Sequence, residues 1–166
     1  MLLPILAMLV TFTILGFPLG EIQYAYSQST QTNSSASSNP AAAGVDLKDI
    51  HPSPLKLKAG SKFEIFSTVV NNSPGTIMFT AGACQSPLSA FFNAFNVVVK
   101  PAQGCTANSS PIKLGPGKEV TVAGPSSDKI YQAISAGKTT AKAIFHYQTE
   151  NGQAANITKS FIFTIG

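Results

Sequence analysis

The chain contains no arginine and no tryptophan, and only two histidines and two cysteines among its 166 residues. The missing arginine bears first on partners. Arginine supplies the planar fork that reads phosphates and guanine edges bidentately. A pI near 9.1 that rests on 11 lysines alone therefore does not point to a nucleic-acid binder. The lysines run singly from Lys48 to Lys159 rather than as a patch, the spacing of solvating charge. Acids are scarcer still, seven in all, and those beyond Glu21 (Asp46, Asp49, Glu64, Glu119, Asp128 and Glu150) are scattered. Glycoside hydrolysis needs two carboxylates flanking one bond, and no feature of the sequence pairs these. His51 sits in a proline-bounded kink, and His146 falls on the strand face opposite Phe145 and Tyr147. Neither has the clustered partners that a zinc site or a catalytic triad requires. Gly115-Pro116-Gly117-Lys118 lacks the length and the following Ser or Thr of a phosphate-binding loop. No segment shows a long amphipathic helical period. The expectation is a non-enzymatic chain with no cofactor, no metal and no nucleic-acid partner.

What is abundant is segregated along the chain. Met1–Leu19 is almost wholly apolar, Pro18 and Gly20 end the run, and Ala25 and Ser27 place small residues three and one positions before Gln28. That is the pattern of a signal peptide cleaved after Ser27, although no Lys or Arg precedes the apolar run. An uncleaved membrane anchor is the competing reading, since about 20 apolar residues span a bilayer. In that case the membrane is a partner only through this N-terminal segment. Residues 28–44, QSTQTNSSASSNPAAAG, carry no charge and no large apolar side chain, so they are expected to be a disordered linker. The domain layout is thus 1–27 signal helix or anchor, 28–44 linker and 45–166 folded domain. Asn33, Asn71, Asn108 and Asn156 each open an acceptor sequon for glycosylation, a weak signal in a chain this rich in Asn, Ser and Thr.

From Val45 onward the period is two. His51-Pro52-Ser53-Pro54 makes the first strand a kinked edge strand, because proline cannot donate to a ladder. Phe63, Ile65, Ser67 and Val69 alternate with Lys62, Glu64, Phe66 and Thr68, and Asn71-Asn72-Ser73-Pro74-Gly75 is a dense turn signal. Ser86-Pro87 reads as a helix start with at most one or two turns after it. Phe95, Val97 and Val99 alternate as a third strand, Val120 and Val122 as a fourth, and Lys129–Ala136 is ambiguous between strand and loop. Ala141, Ala143, Phe145 and Tyr147 face one way, Glu150-Asn151-Gly152 turns the chain, and Ile157, Phe161, Phe163 and Ile165 return on one face. Seven or eight short strands with regular turns predict an all-β antiparallel sandwich. About 120 residues are enough to support such a core.

Ala59-Gly60, the alternating run ending Val69-Val70-Asn71-Asn72, the Leu114-Gly115-Pro116-Gly117-Lys118 turn, and Gly137 followed by Thr139–Tyr147 carry a resemblance. On these motifs residues 55–165 resemble the immunoglobulin-like modules of prokaryotic cell surfaces, the CARDB-type cell-adhesion domains and, more distantly, the BsuPI-type proteinase-inhibitor domain. The resemblance implies a single immunoglobulin-like sandwich at the cell surface or secreted; together with the export signal and the sequons it suits an archaeal envelope glycoprotein. It implies either binding and adhesion to an envelope protein or glycan, or inhibition of a protease through a braced loop in Gln85–Gly104. A glycan-acting enzyme is the weaker third reading. The chain departs from antibody domains, whose inter-sheet disulfide and packed tryptophan are absent: residues 62–71 and 139–148 hold no cysteine.

Cys84 and Cys105 are the two cysteines, and in an exported chain they are expected to form a disulfide. They are not spaced as Cys-x-x-Cys, the usual redox pair. Neither is followed closely by the His and Met of blue-copper sites, so that chemistry is rejected. Phe91, Phe92 and Phe95 concentrate between the cysteines. They either fill the core beneath a crossing segment or form an interaction surface.

Overall fold

The computed structural model describes residues 44–82, 84–105 and 109–166. The expected signal segment or anchor (1–27) and nearly all of the expected linker (28–44) lie outside the described residues. Among the described residues ten strands follow one another: β1 (Val45–Ser53), β2 (Lys62–Asn71), β3 (Ile77–Gly82), β4 (Leu88–Phe92), β5 (Val97–Pro101), β6 (Ser109–Leu114), β7 (Lys118–Gly124), β8 (Lys129–Ala133), β9 (Gly137–Thr149) and β10 (Ala154–Ile165). They form two five-stranded antiparallel sheets. Sheet I runs β1-β2-β8-β5, with β7 also paired to β2; sheet II runs β10-β9-β3-β6, with β4 also paired to β9. The expected all-β sandwich is present, with more strands than the seven or eight anticipated.

The long strands obey their alternation. Phe63, Ile65, Ser67 and Val69 of β2 are buried, as are Ala141, Ala143, Phe145 and Tyr147 of β9 and Phe161, Phe163 and Ile165 of β10. β1 is the edge of sheet I, and its register slips between Lys48 and His51, where Asp49 takes φ 51°. The inward Ser67 has a purpose at this bulge: its hydroxyl donates to Lys48 O at 2.9 Å. A carbonyl freed by the irregular pairing is thereby satisfied.

The additional strands come from three places. The helix expected after Ser86 does not form; the segment is β4. Ser86 Oγ accepts from Leu88 N at 3.0 Å, the same side-chain-to-backbone bond that caps a helix, but here it makes a turn into a strand. β6 contains Pro111, which an edge strand tolerates, and β6 ends sheet II. The ambiguous stretch after Lys129 is β8, which pairs with both β2 and β5.

Each sheet has a long central strand flanked on one side by two short strands laid end to end. β8 covers Lys62 and Phe63 of β2 and β7 covers Ile65–Asn71; β3 covers the end of β9 and β4 covers its residues 141–145. The two interruptions face each other across the sandwich. A Cβ on Gly124 would lie 2.1 Å from Leu88 O, so only glycine fits where the end of β7 meets the start of β4. Ser86 Oγ also contacts Ala123 O across this seam. Below it, Phe63 packs against Phe92, Tyr131 and Phe163 with ring centroids 5.7–5.9 Å apart, an aromatic cluster drawn from both sheets. Tyr131 accepts a hydrogen bond from Ala90 N at 2.8 Å, and burial pushes its phenol pKa up.

Candidate functional site

The excursion between the cysteines leaves sheet II through β4, crosses to β5 in sheet I and returns to β6. The disulfide Cys84–Cys105 closes it, with Cα atoms 5.3 Å apart and a sequence separation of 21. It sits just beyond the Gly82–Ser109 pair that ends the β3–β6 ladder. The bridge therefore clamps the open end of one ladder and the root of the crossing segment together.

Within this excursion the three phenylalanines part company. On β4 the alternation turns Leu88, Ala90 and Phe92 inward and Phe91 outward. Phe92 meets Tyr131 edge-on at 4.9 Å and packs on the core. Phe91, opposite Lys142 of β9, is 60% exposed, and Phe95 in the β4–β5 turn is 99% exposed. Of the three phenylalanines, Phe92 thus packs on the core, and Phe91 and Phe95 are exposed. Two backbone bonds hold the turn: Asn93 N donates to Thr140 O at 3.0 Å, and Ile134 N donates to Asn96 O at 2.8 Å. Phe95 projects from a turn anchored at both ends.

Of the four sequon asparagines, Asn33 and Asn108 lie outside the described residues. Asn71 is completely buried. Its Nδ2, the atom a glycan would occupy, donates to Gly75 O at 2.9 Å and to Leu114 O at 2.8 Å, while its Oδ1 accepts from Ser73 N at 3.0 Å. The reading of Asn71 as a glycan acceptor is corrected: in the folded chain this amide is a structural tie between β2 of sheet I and β6 of sheet II. No signal in the triplet itself distinguishes the two roles; the burial of three consecutive residues at the end of β2 does. Asn156 is exposed on β10, opposite His146.

His51 stacks on Phe66 with centroids 6.1 Å apart and donates from Nδ1 to Asp49 O at 2.7 Å. His146 lines an open groove of about 680 Å³ at the seam, together with Gln148, Cys84 and Asp128. Asp128 accepts from Ser126 Oγ at 2.5 Å. Among the described residues no three His, Cys, Asp or Glu side chains gather into a metal-binding set, and no helix is long and apolar enough to cross a membrane. The ion pair between Lys159 Nζ and Asp46 Oδ1, at 2.9 Å, closes the β1–β10 edge of the sandwich.

No family model matches the chain, and no curated protein matches it. Solved structures to which it is similar include the FixG-related protein from Vibrio parahaemolyticus, at 12% identity over 72% of this chain and 96% of that one, TM-score 0.36. The GAE domain of GGA2p from Saccharomyces cerevisiae is 14% identical over 74% of this chain and 90% of that one, TM-score 0.37. A lipoprotein from Bacteroides thetaiotaomicron is 18% identical over 70% of this chain and 76% of that one, TM-score 0.27. At these scores the likenesses bear on neither family nor activity.

Proposed function

We propose that this chain is an exported, non-enzymatic binding module of the immunoglobulin-like type, secreted or held at the cell surface, and that it meets its envelope partner through the end of the sandwich bearing Phe91 and Phe95. One observation carries the reading. A phenylalanine that is 99% exposed at the tip of an anchored turn adds nothing to the core, and it has a second exposed phenylalanine nearby on β4. Large aromatic side chains held in place at a surface are the usual anchors of binding. The disulfide supports export, since such bonds persist in oxidising compartments. The test is sedimentation of the full chain with isolated envelopes of the producing cells. Exchanging Phe91→Ser and Phe95→Ser together is expected to lower the bound fraction more than tenfold, the loss that removal of anchor residues brings. The melting temperature should stay unchanged. Phe92→Ser, by contrast, is expected to destabilise the fold. Undiminished envelope binding by the Phe91/Phe95 variant would end this reading.

The runner-up is a proteinase-inhibitor module, favoured by the disulfide across the braced segment. Half of Gln85–Gly104 is engaged in β4 and β5, and between these strands the 93–96 turn is the part to present to a protease. A protease panel showing no inhibition at micromolar concentration removes this alternative.

A further inference from the structure

One end of the sandwich is assembled from the β1–β2 connection, the β4–β5 turn, the β8–β9 connection and the last residue. Backbone bonds knit these segments: Ala59 N to Gly166 O at 3.2 Å, Gly60 N to Ala133 O at 2.8 Å, and Ile134 N to Asn96 O at 2.8 Å. Exposed large apolar side chains collect here and on the adjoining outer face of sheet II: Leu55, Phe91, Phe95, Ile134 and Ile162. Phe91 pairs with Lys142 and Ile162 with Thr140, so the two occupy successive outward rows of that face.

The lysines are distributed in the same way. Lys56 and Lys58 lie on the β1–β2 connection, Lys62 opens β2 directly after it, and Lys138 and Lys142 lie on the exposed face of β9, bordered by one acid, Glu64. Five lysines against one acid give this end +4. The rest of the described chain holds six lysines against five acids, or +1. Lysines that look evenly scattered in sequence are gathered by the fold around an apolar tip.

We propose that this end docks on an anionic lipid surface; the proposal rests on the reading above that this end is the contact surface, and it names what is contacted. The chemistry favours lipid over a protein partner. Protein interfaces are enriched in arginine and depleted in lysine, whereas the cations that frame this end are all lysine, in a chain without arginine. An apolar tip set among lysines matches the bilayer boundary. Phenylalanine and isoleucine side chains sink into the headgroup and acyl boundary, while lysine stems lie along apolar surface and their ammonium groups stay at the level of the lipid phosphates. The attraction falls off within a Debye length and is therefore sensitive to salt.

The absence of tryptophan provides the test. Phe95→Trp, made in the full chain, introduces a single indole at a fully exposed position, and Asn151→Trp places one at the β9–β10 turn, at the opposite end, as a control. Each is titrated with vesicles of neutral phosphatidylcholine, and of phosphatidylcholine mixed with anionic phosphatidylglycerol. The expected result is a blue shift of the indole emission at position 95 on anionic vesicles, absent on neutral ones and reversed by high salt, with no shift at position 151. This readout reports burial of that end however the N-terminal apolar segment engages the vesicle. An indole at position 95 that stays in water on both vesicle types overturns the proposal, as does an equal shift at both positions. If it stays in water while Phe91→Ser with Phe95→Ser still abolishes envelope binding, the contact surface stands and its partner is a protein or glycan. If neither effect is seen, the contact surface itself fails.

Discussion

Asn71 shows how a single residue ties the sandwich. Its amide joins the turn after β2 to the end of β6 in the other sheet, and Gly117 N donates back to its carbonyl at 2.6 Å. Asn71→Ala would leave Leu114 O and Ser73 N without this buried partner, whereas Gly75 O would keep its bond from Ser73 Oγ. Each buried group stripped of a partner costs about 1–3 kcal/mol, so with two such groups Asn71→Ala is expected to destabilise by about 2–6 kcal/mol. Asn71→Asp should be worse, because a carboxylate would confront the carbonyls of Gly75 and Leu114. Urea midpoints of the two variants check the order, and equal stability to wild type would contradict the structural role. Asn71 reads as a surface sequon in the sequence, because a triplet records neither burial nor the position of Leu114, 43 residues away. Gly124 was equally illegible: its need for glycine arises from the backbone of Leu88, a neighbour only in the fold.

At the scale of elements, strands with one buried face were legible and short strands at junctions were not. β2, β9 and β10 each bury alternate residues over a long stretch, so the period of two stands out against any competing signal. β4 has five residues and opens on Ser-Pro, whose capping chemistry serves helices and turns alike. That ambiguity also left the roles of the phenylalanines open, because which of Phe91 and Phe92 faces out depends on whether the segment is a strand. The disulfide braces these hard-to-read elements. In the loop-entropy account a closed loop of this length contributes about 3 kcal/mol. The double variant Cys84→Ala/Cys105→Ala is therefore expected to lose about that much in denaturant unfolding. Amide exchange should rise first in β4, β5 and β6, the strands that the bridge confines, and least in the β9–β10 hairpin with its 12 register pairs. Uniform acceleration across all ten strands would show that the clamp acts on the whole domain rather than on the excursion.

Across the whole molecule, the two sheets are pinned to each other by polar contacts at separate places. Asn71 to Leu114 O lies at one end, Ser86 to Ala123 O at the seam, and Tyr131 to Ala90 N beside the aromatic cluster. The fourth pin is Lys159 of β10, which donates to Asp46 Oδ1 at 2.9 Å and to Leu47 O at 2.6 Å on β1. Of the four it is the one that depends on pH in the acid range. The hydrogen bond from Lys159 is the largest influence holding the Asp46 carboxyl below its ordinary pKa of 3.8, against a smaller opposing effect of burial. A carboxyl whose pKa is depressed by folding stabilises the fold fully above its unfolded value. That contribution declines as pH falls below 3.8 and is gone once pH passes the folded value. Both side chains are nearly half exposed, so solvent screening limits the pair to under about 1 kcal/mol. Wild type should therefore exceed Asp46→Asn by less than about 1 kcal/mol in denaturant unfolding at pH 7, and the gap should shrink in high salt and close in strong acid. The part of the tie that Asp46 does not supply, from Lys159 to the Leu47 carbonyl, survives in Asp46→Asn and is lost in Lys159→Met. If the two variants lose equal stability at pH 7, the carboxylate carries the contact. If Lys159→Met loses more, and keeps that deficit in strong acid where the Asp46→Asn gap has closed, the backbone carbonyl carries it and the β1–β10 edge is sealed by a bond that acid leaves intact.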